Sequence, residues 1–101
     1  MEFEWDDLKN KSNVRKHHIR FEDAIYVFLD PLRIERFDTE NSAEEERWQT
    51  IGKVGKVLFV VYTERNNNRR IISARIANSE ERSAYYGNSK NDDTGWAKAD
   101  R

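Results

Sequence analysis

Cysteine is absent from this 101-residue chain, which excludes a disulfide framework, a thiolate metal site and a thiol nucleophile. Long apolar runs are missing too. The longest, residues 24–29 and 57–62, fall far short of the roughly 20 residues that cross a bilayer as a helix, so no membrane association is expected. The first six residues are acidic and lack the basic start and apolar stretch of an export signal, which makes the cytoplasm the expected location. Histidine occurs only at His17 and His18, with no partner cluster, and neither metal nor cofactor is expected. The length suits one small domain with a modest core and leaves no room for a second.

Charge is plentiful but divided. The net charge is -1, which gives the whole chain no nucleic-acid signature. Residues 1–46 carry 7 Lys+Arg against 13 Asp+Glu, whereas residues 47–86 carry 8 against 3. Such a division fits an anionic ligand on the basic half, and it also fits two ordinary solvated faces.

Asp6 or Asp7 is placed to cap a helix through about Lys16, with Leu8 and Val14 on its apolar side. A second helix is expected over residues 21–29, where Phe21, Ala24, Ile25, Phe28 and Leu29 share one face, and Asp30-Pro31 ends it. Residues 32–37 then alternate apolar and charged, as a half-buried strand does, before an acidic loop over 38–46. Three more strands are expected over 47–51, 57–65 and 70–77, joined by turns at 52–55 and 66–68. Asn78 or Ser79 caps a last helix ending near Tyr85 and Tyr86. The expected fold is therefore α+β: two N-terminal helices, a four-stranded antiparallel meander and a C-terminal helix, with residues 1–86 as the domain and 87–101 as a disordered polar tail. Helices in that arrangement cover one face of the sheet and leave the other open.

Alternation along the strands predicts which side chains share the open face. It assigns Ile72, Ala74 and Ile76 to the core with Val57, Phe59, Val61 and Thr63. Arg47, Gln49, Tyr62, Glu64, Ser73 and Arg75 converge outside. Arginine forks there match phosphate oxygens, a carboxylate can move a proton and a tyrosine can stack on a base. The same residue types on an exposed strand also form plain surface ion pairs. His17 and His18 follow the first helix, where a histidine serves either as a general base or as a cation at the helix C-terminus.

The order and spacing of several short motifs resemble the BrnT toxins of bacterial type II toxin-antitoxin systems. They are Phe3-Glu4-Trp5-Asp6, Lys9, Asn13, Lys16-His17, Phe21-Glu22-Asp23-Ala24, Asp30-Pro31, Glu45-Glu46-Arg47-Trp48, Ile51-Gly52, Thr63-Glu64-Arg65, Arg70-Ile71-Ile72-Ser73-Ala74-Arg75, and Glu81-Arg82 with Tyr85. The resemblance implies a RelE-like ribonuclease that cuts RNA without metal and halts translation. It also implies a BrnA-type ribbon-helix-helix antitoxin as partner, with operator DNA reached only through that partner. Carried over, Arg47 and Arg75 would hold the phosphate and His17, Glu46 or Glu64 would move the proton. Arg65, Tyr62 and Lys16 would contact RNA. The alternative is a non-catalytic module that pairs with a DNA-binding antitoxin. Where the family has glycine after the histidine, this chain has His18.

Overall fold

The structure is a computed structural model that describes residues 2–87 and 94–99. The chain runs β1 (Phe3–Trp5), α1 (Asp7–His17), α2 (Phe21–Ala24), a 3-10 turn (Ile25–Leu29), β2 (Ile34–Phe37), β3 (Trp48–Val54), β4 (Lys56–Arg65), β5 (Asn68–Ile76), α3 (Ser79–Tyr85) and β6 (Ala97–Lys98). One sheet holds all six strands in the order β1-β5-β4-β3-β2-β6.

The α+β class and the antiparallel meander of β2 to β5 agree with the sequence. The expected four-stranded antiparallel sheet needs correction, because β1 adds in parallel to β5 at one edge and β6 adds to β2 at the other. Phe3-Glu4-Trp5 is too short for alternation to reveal a strand. Within the stretch expected to be disordered, residues 94–99 form β6 and its flanks, and Trp96 packs on Phe59. The rest of the expected tail, residues 88–93 and 100–101, lies outside the described residues.

Asp6 caps α1 as expected, its carboxylate accepting from the Leu8 and Lys9 amides. The inward side of this helix is not apolar, however. Leu8 is 75% exposed and the buried residue is Asn13. Beyond β1, the edge of β5 has no neighbouring strand, and Asn13 takes that place. Its Nδ2 donates to the Ala74 carbonyl (2.8 Å) and its Oδ1 accepts from the Ala74 amide (3.1 Å), as a paired strand's backbone would. A third bond from Nδ2 to the Ile19 carbonyl holds the turn after α1.

That turn is made by His18, which ends α1 with φ 61° and donates its amide to the Val14 carbonyl. The left-handed conformation strains any residue with a Cβ and suits glycine. A His18→Gly protein is accordingly expected to be more stable by about 1 kcal/mol, read as a higher urea midpoint at unchanged slope.

The expected helix over 21–29 is α-helical only to Ala24 and tightens into the 3-10 turn, where the bulky residues Ile25 to Phe28 favour the α-helix weakly. This tight turn presses Val27 onto β3. A Cβ at Gly52 would lie 2.9 Å from Val27 Cβ and 3.0 Å from its carbonyl oxygen. Gly52 is thus a strand residue under close packing rather than part of the turn; only Gly55 (φ 69°) turns the chain there. The Asn66-Asn67 hairpin holds as expected, both residues having positive φ.

Two apolar clusters flank the sheet. Phe21, Ala24, Val27 and Phe28 cover Leu58, Val60, Tyr62, Ile71 and Ala74 on one face. On the other, Ile51, Val57 and Phe59 lie under Ala77 and Tyr85, with Ile34, Val61 and Trp96 at the margin. The second face is therefore partly roofed by α3 and Trp96, where the sequence led us to expect it bare.

Candidate functional site

Strand pairing sets the geometry of the second face. Arg36, Gln49, Val61 and Ser73 form one row across β2 to β5, and Ile34, Ile51, Phe59 and Arg75 form the next. A bulge changes the count beyond them. Val61 faces Ser73 but Tyr62 faces Ile71, leaving Ile72 unpaired. Past it, Thr63, Arg70 and Glu4 continue the same face.

Gln49, Ser73 and Arg75 lie on this face, as alternation predicted, and Arg47, just before β3, meets Arg65 and Arg70 in a recess. Tyr62 and Glu64 do not lie on this face. Tyr62 is 1% exposed, meets Phe28 edge-on and donates to Glu35. Burial, reinforced by the Glu35 charge, pushes its pKa up to about 12. It stays protonated and shielded, so it is not available to stack on a base in this conformation. The inversion has a physical cause: β4 is buried on both sides, so its apolar run carries no reliable sign of which side faces the helices.

The basic residues gather near the Asn66-Asn67 end of the sheet. Arg47, Arg65, Arg70 and Lys9 line a recess of about 510 Å³ with Ile72 as its apolar floor and the acidic loop, Glu40 to Glu45, as its rim. Within it, Glu45 binds Arg65 through two hydrogen bonds (2.6 and 3.2 Å), which hold its carboxyl below the usual range. Arg70 pairs with Glu4 at 2.8 Å. Arg47 differs. Its backbone is fixed by Ser42 and Asp38, while its Nε is buried with no hydrogen-bond partner among the described residues. Glu46, its neighbour, is anchored by Thr63 Oγ1 donating to its carbonyl at 2.6 Å and keeps an exposed side chain.

Arg75 is not in this recess. From Arg47 it is two rows away, about 14 Å along the strands and about 10 Å across them by strand spacing. Its guanidinium binds both oxygens of Glu81 (2.8 and 2.9 Å) and covers Phe59 at 4.1 Å. Glu81 also closes the capping box of α3 by accepting from the Asn78 amide. Asn78 caps the helix as expected. Lys16 and His17 sit in the last turn of α1, one turn beyond Asn13 and hence toward the Arg75 end of β5. Glu64, opposite Arg69, projects toward the helix-covered side.

Sequence reasoning missed Arg70 as a recess residue and missed two buried arginines. Arg33 and Arg69 both lie against the Phe28 ring, at 4.8 and 4.3 Å. Arg33 also donates to Thr50 Oγ1 and supports Glu35. Near it, Asp30 accepts from the Tyr85 hydroxyl and from the Leu32 and Lys53 amides. Burial raises the Asp30 pKa, but Tyr85, these amides and Arg33 outweigh it and leave a net lowering. The stability this gives is present above the ordinary carboxylate pKa of about 4 and is lost as pH falls through the lower folded value. Acid titration of folding is expected to show that loss below about pH 4, and Asp30→Asn is expected to blunt it while lowering stability at neutral pH.

No three His, Asp or Glu side chains among the described residues group as a metal site. No described helix is long and apolar enough to cross a membrane.

Residues 5–81 match the family of the ribonuclease toxin BrnT of type II toxin-antitoxin systems. The fold is similar to the crystal structure of the Brucella abortus ribonuclease toxin BrnT, with a TM-score of 0.60 and 23% identity over 78% of this chain and 99% of that one. No curated protein matches the chain. The match runs from the last residue of β1 to the start of α3, including the recess and its rim, and on it this chain belongs to the BrnT family of ribonuclease toxins.

Proposed function

We propose that this chain is a toxin that cuts single-stranded RNA in the cytoplasm and so inhibits translation. A BrnA-type antitoxin silences it, and the antitoxin's ribbon-helix-helix domain carries the pair to operator DNA. The observation that supports this most is the recess in which Arg47, Arg65, Arg70 and Lys9 meet, with the buried Arg47 Nε lacking a hydrogen-bond partner among the described residues. RelE-like chemistry needs little more than this. A ribose 2′-hydroxyl attacks the adjacent phosphorus in line and the 5′-oxygen leaves, giving a 2′,3′-cyclic phosphate. Arginine forks stabilise the added negative charge without metal.

In this scheme Arg47 holds the scissile phosphate, with Arg65 and Arg70 beside it once RNA competes with Glu45 and Glu4. Of the candidates for proton transfer, Glu46 is next to Arg47 in sequence but does not line the recess, and His17 and Glu64 lie elsewhere on the fold. Arg75 and Lys16 are too far to share that phosphate, and a chain of several nucleotides would reach them. Expression without antitoxin is expected to arrest bacterial growth, and the purified protein is expected to cleave RNA in EDTA. Loss of cleavage in EDTA would contradict the metal-free scheme.

One observation favours a second reading, a non-catalytic module that pairs with the antitoxin. Arg65, Arg70 and Arg75 each already have a carboxylate partner. Normal growth on soluble expression, with RNA bound intact by the purified protein, would decide for it.

A further inference from the structure

We infer that the open face carries a nucleobase-binding subsite built from Arg36 and Phe59, and that Trp96 of this chain's own C-terminal segment occupies it. The inference rests on the proposal that the face binds RNA. Trp96 immediately precedes β6, whose Ala97 pairs with Glu35, and the Arg36 guanidinium sits over its indole at 4.2 Å. On the sheet, Phe59 meets the same ring edge-on at 6.4 Å. A guanidinium stacked on the face of a flat heterocycle is one way in which proteins hold unstacked bases, and here Phe59 closes the site edge-on.

The backbone completes the mimicry. Arg36 Nη1 donates to the Thr94 carbonyl at 2.8 Å, where a phosphate oxygen would be a stronger acceptor. Gln49 fixes Arg36 Nε at 2.7 Å, so the guanidinium is oriented from the sheet and not by the segment that covers it. Arg75 covers Phe59 as well, which joins this subsite to the line of cations leading away from the recess.

The occupying segment is lightly held. β6 pairs with β2 through two exposed residues, and the Ala99 amide donates to the Arg33 carbonyl. It also lies beyond residue 81, where the family match ends. The core beneath is made by other elements, so a base can displace Trp96 without unfolding the sheet.

The test uses the full chain and a fluorescent single-stranded RNA oligonucleotide of mixed sequence at low salt. Trp96→Ala is expected to tighten binding about five-fold or more, and adding Arg36→Ala is expected to abolish that gain. A second variant guards against loss of packing. The Ala99-to-Arg33 bond makes Ile34 and Lys98 a non-hydrogen-bonded pair, with Cα atoms about 4.5 Å apart and within disulfide reach. In a chain with no other thiol, Ile34→Cys with Lys98→Cys locks the segment on oxidation, and RNA binding is expected to fall when locked and recover on reduction. Equal binding in both redox states, or unchanged or weaker binding by folded Trp96→Ala, overturns the subsite. If the parent binds RNA through Arg47 in those cases, only the subsite falls. If no variant binds RNA, the RNA reading of the face falls with it.

Discussion

An Arg47→Ala protein is expected to lose RNA cleavage by roughly two to three orders of magnitude, the usual effect of removing one donor that stabilises transition-state charge, and to relieve growth arrest. Its folding should change little. The guanidinium Nε has no hydrogen-bond partner among the described residues, and what holds residue 47 is backbone: its amide to Ser42 Oγ and its carbonyl to the Asp38 amide. Cleavage rate at saturating RNA and urea midpoint, measured on the same preparation, separate the two effects. A large drop in the midpoint would mean that Arg47 is structural, and full activity would remove it from the chemistry.

The same substitution at Arg75 gives a less direct answer. Glu81 is buried and binds both Arg75 and the Asn78 amide, so Arg75→Ala strands a carboxylate at the N-terminus of α3. Lost activity would then mix lost contact with loosened structure.

Asn13→Asp is expected to be the most damaging single substitution for stability. The carboxylate keeps an acceptor for the Ala74 amide but turns a second oxygen on the Ala74 and Ile19 carbonyls, where Nδ2 now donates. Two carbonyls lose their donor and meet negative charge in a buried position, a cost of roughly 3 kcal/mol or more. Against the 5–15 kcal/mol typical of a small domain, that lowers the melting temperature by about 15 °C. Calorimetry at neutral pH checks this. A shift of a few degrees would show that water or backbone movement substitutes for the amide.

Asn13 also shows where sequence reading stops. Its residue type names no partner, and a polar residue within a helix usually marks the solvent side. Only the topology, with β1 ending at Trp5 opposite Ile71, leaves Ala74 in need of an amide. Local signals fared better. Asp6, Asn78 and the Asn66-Asn67 turn act within a few residues, and each does in the structure what its chemistry suggests. Gly52 was misread as a turn because glycine serves two purposes, positive φ and close approach, and the second depends on Val27 across the fold.

At the candidate site, the basic half of the charge division contains Arg47, Arg65 and Arg70, which line one recess. The face of each strand residue was harder to obtain. One unpaired residue, Ile72, puts both Ile71 and Ala74 on the helix-covered side, and two-sided burial of β4 inverted the assignment of Tyr62. Neither a bulge nor the covering of a second face is written in alternation.

The position of the two edge strands bears on how the molecule opens. The four central strands are joined in sequence, so their pairing closes short loops, whereas β1 joins β5 and β6 joins β2 across more than sixty residues. The central meander is therefore the natural first-formed unit, and the borders close last with few amides each. Hydrogen exchange should follow the same gradient, with β4 amides exchanging through global unfolding and those of β6 through local release. The sheet can shed a border strand while its middle stays intact, which gives a strand from another chain a place to enter by exchange instead of by unfolding.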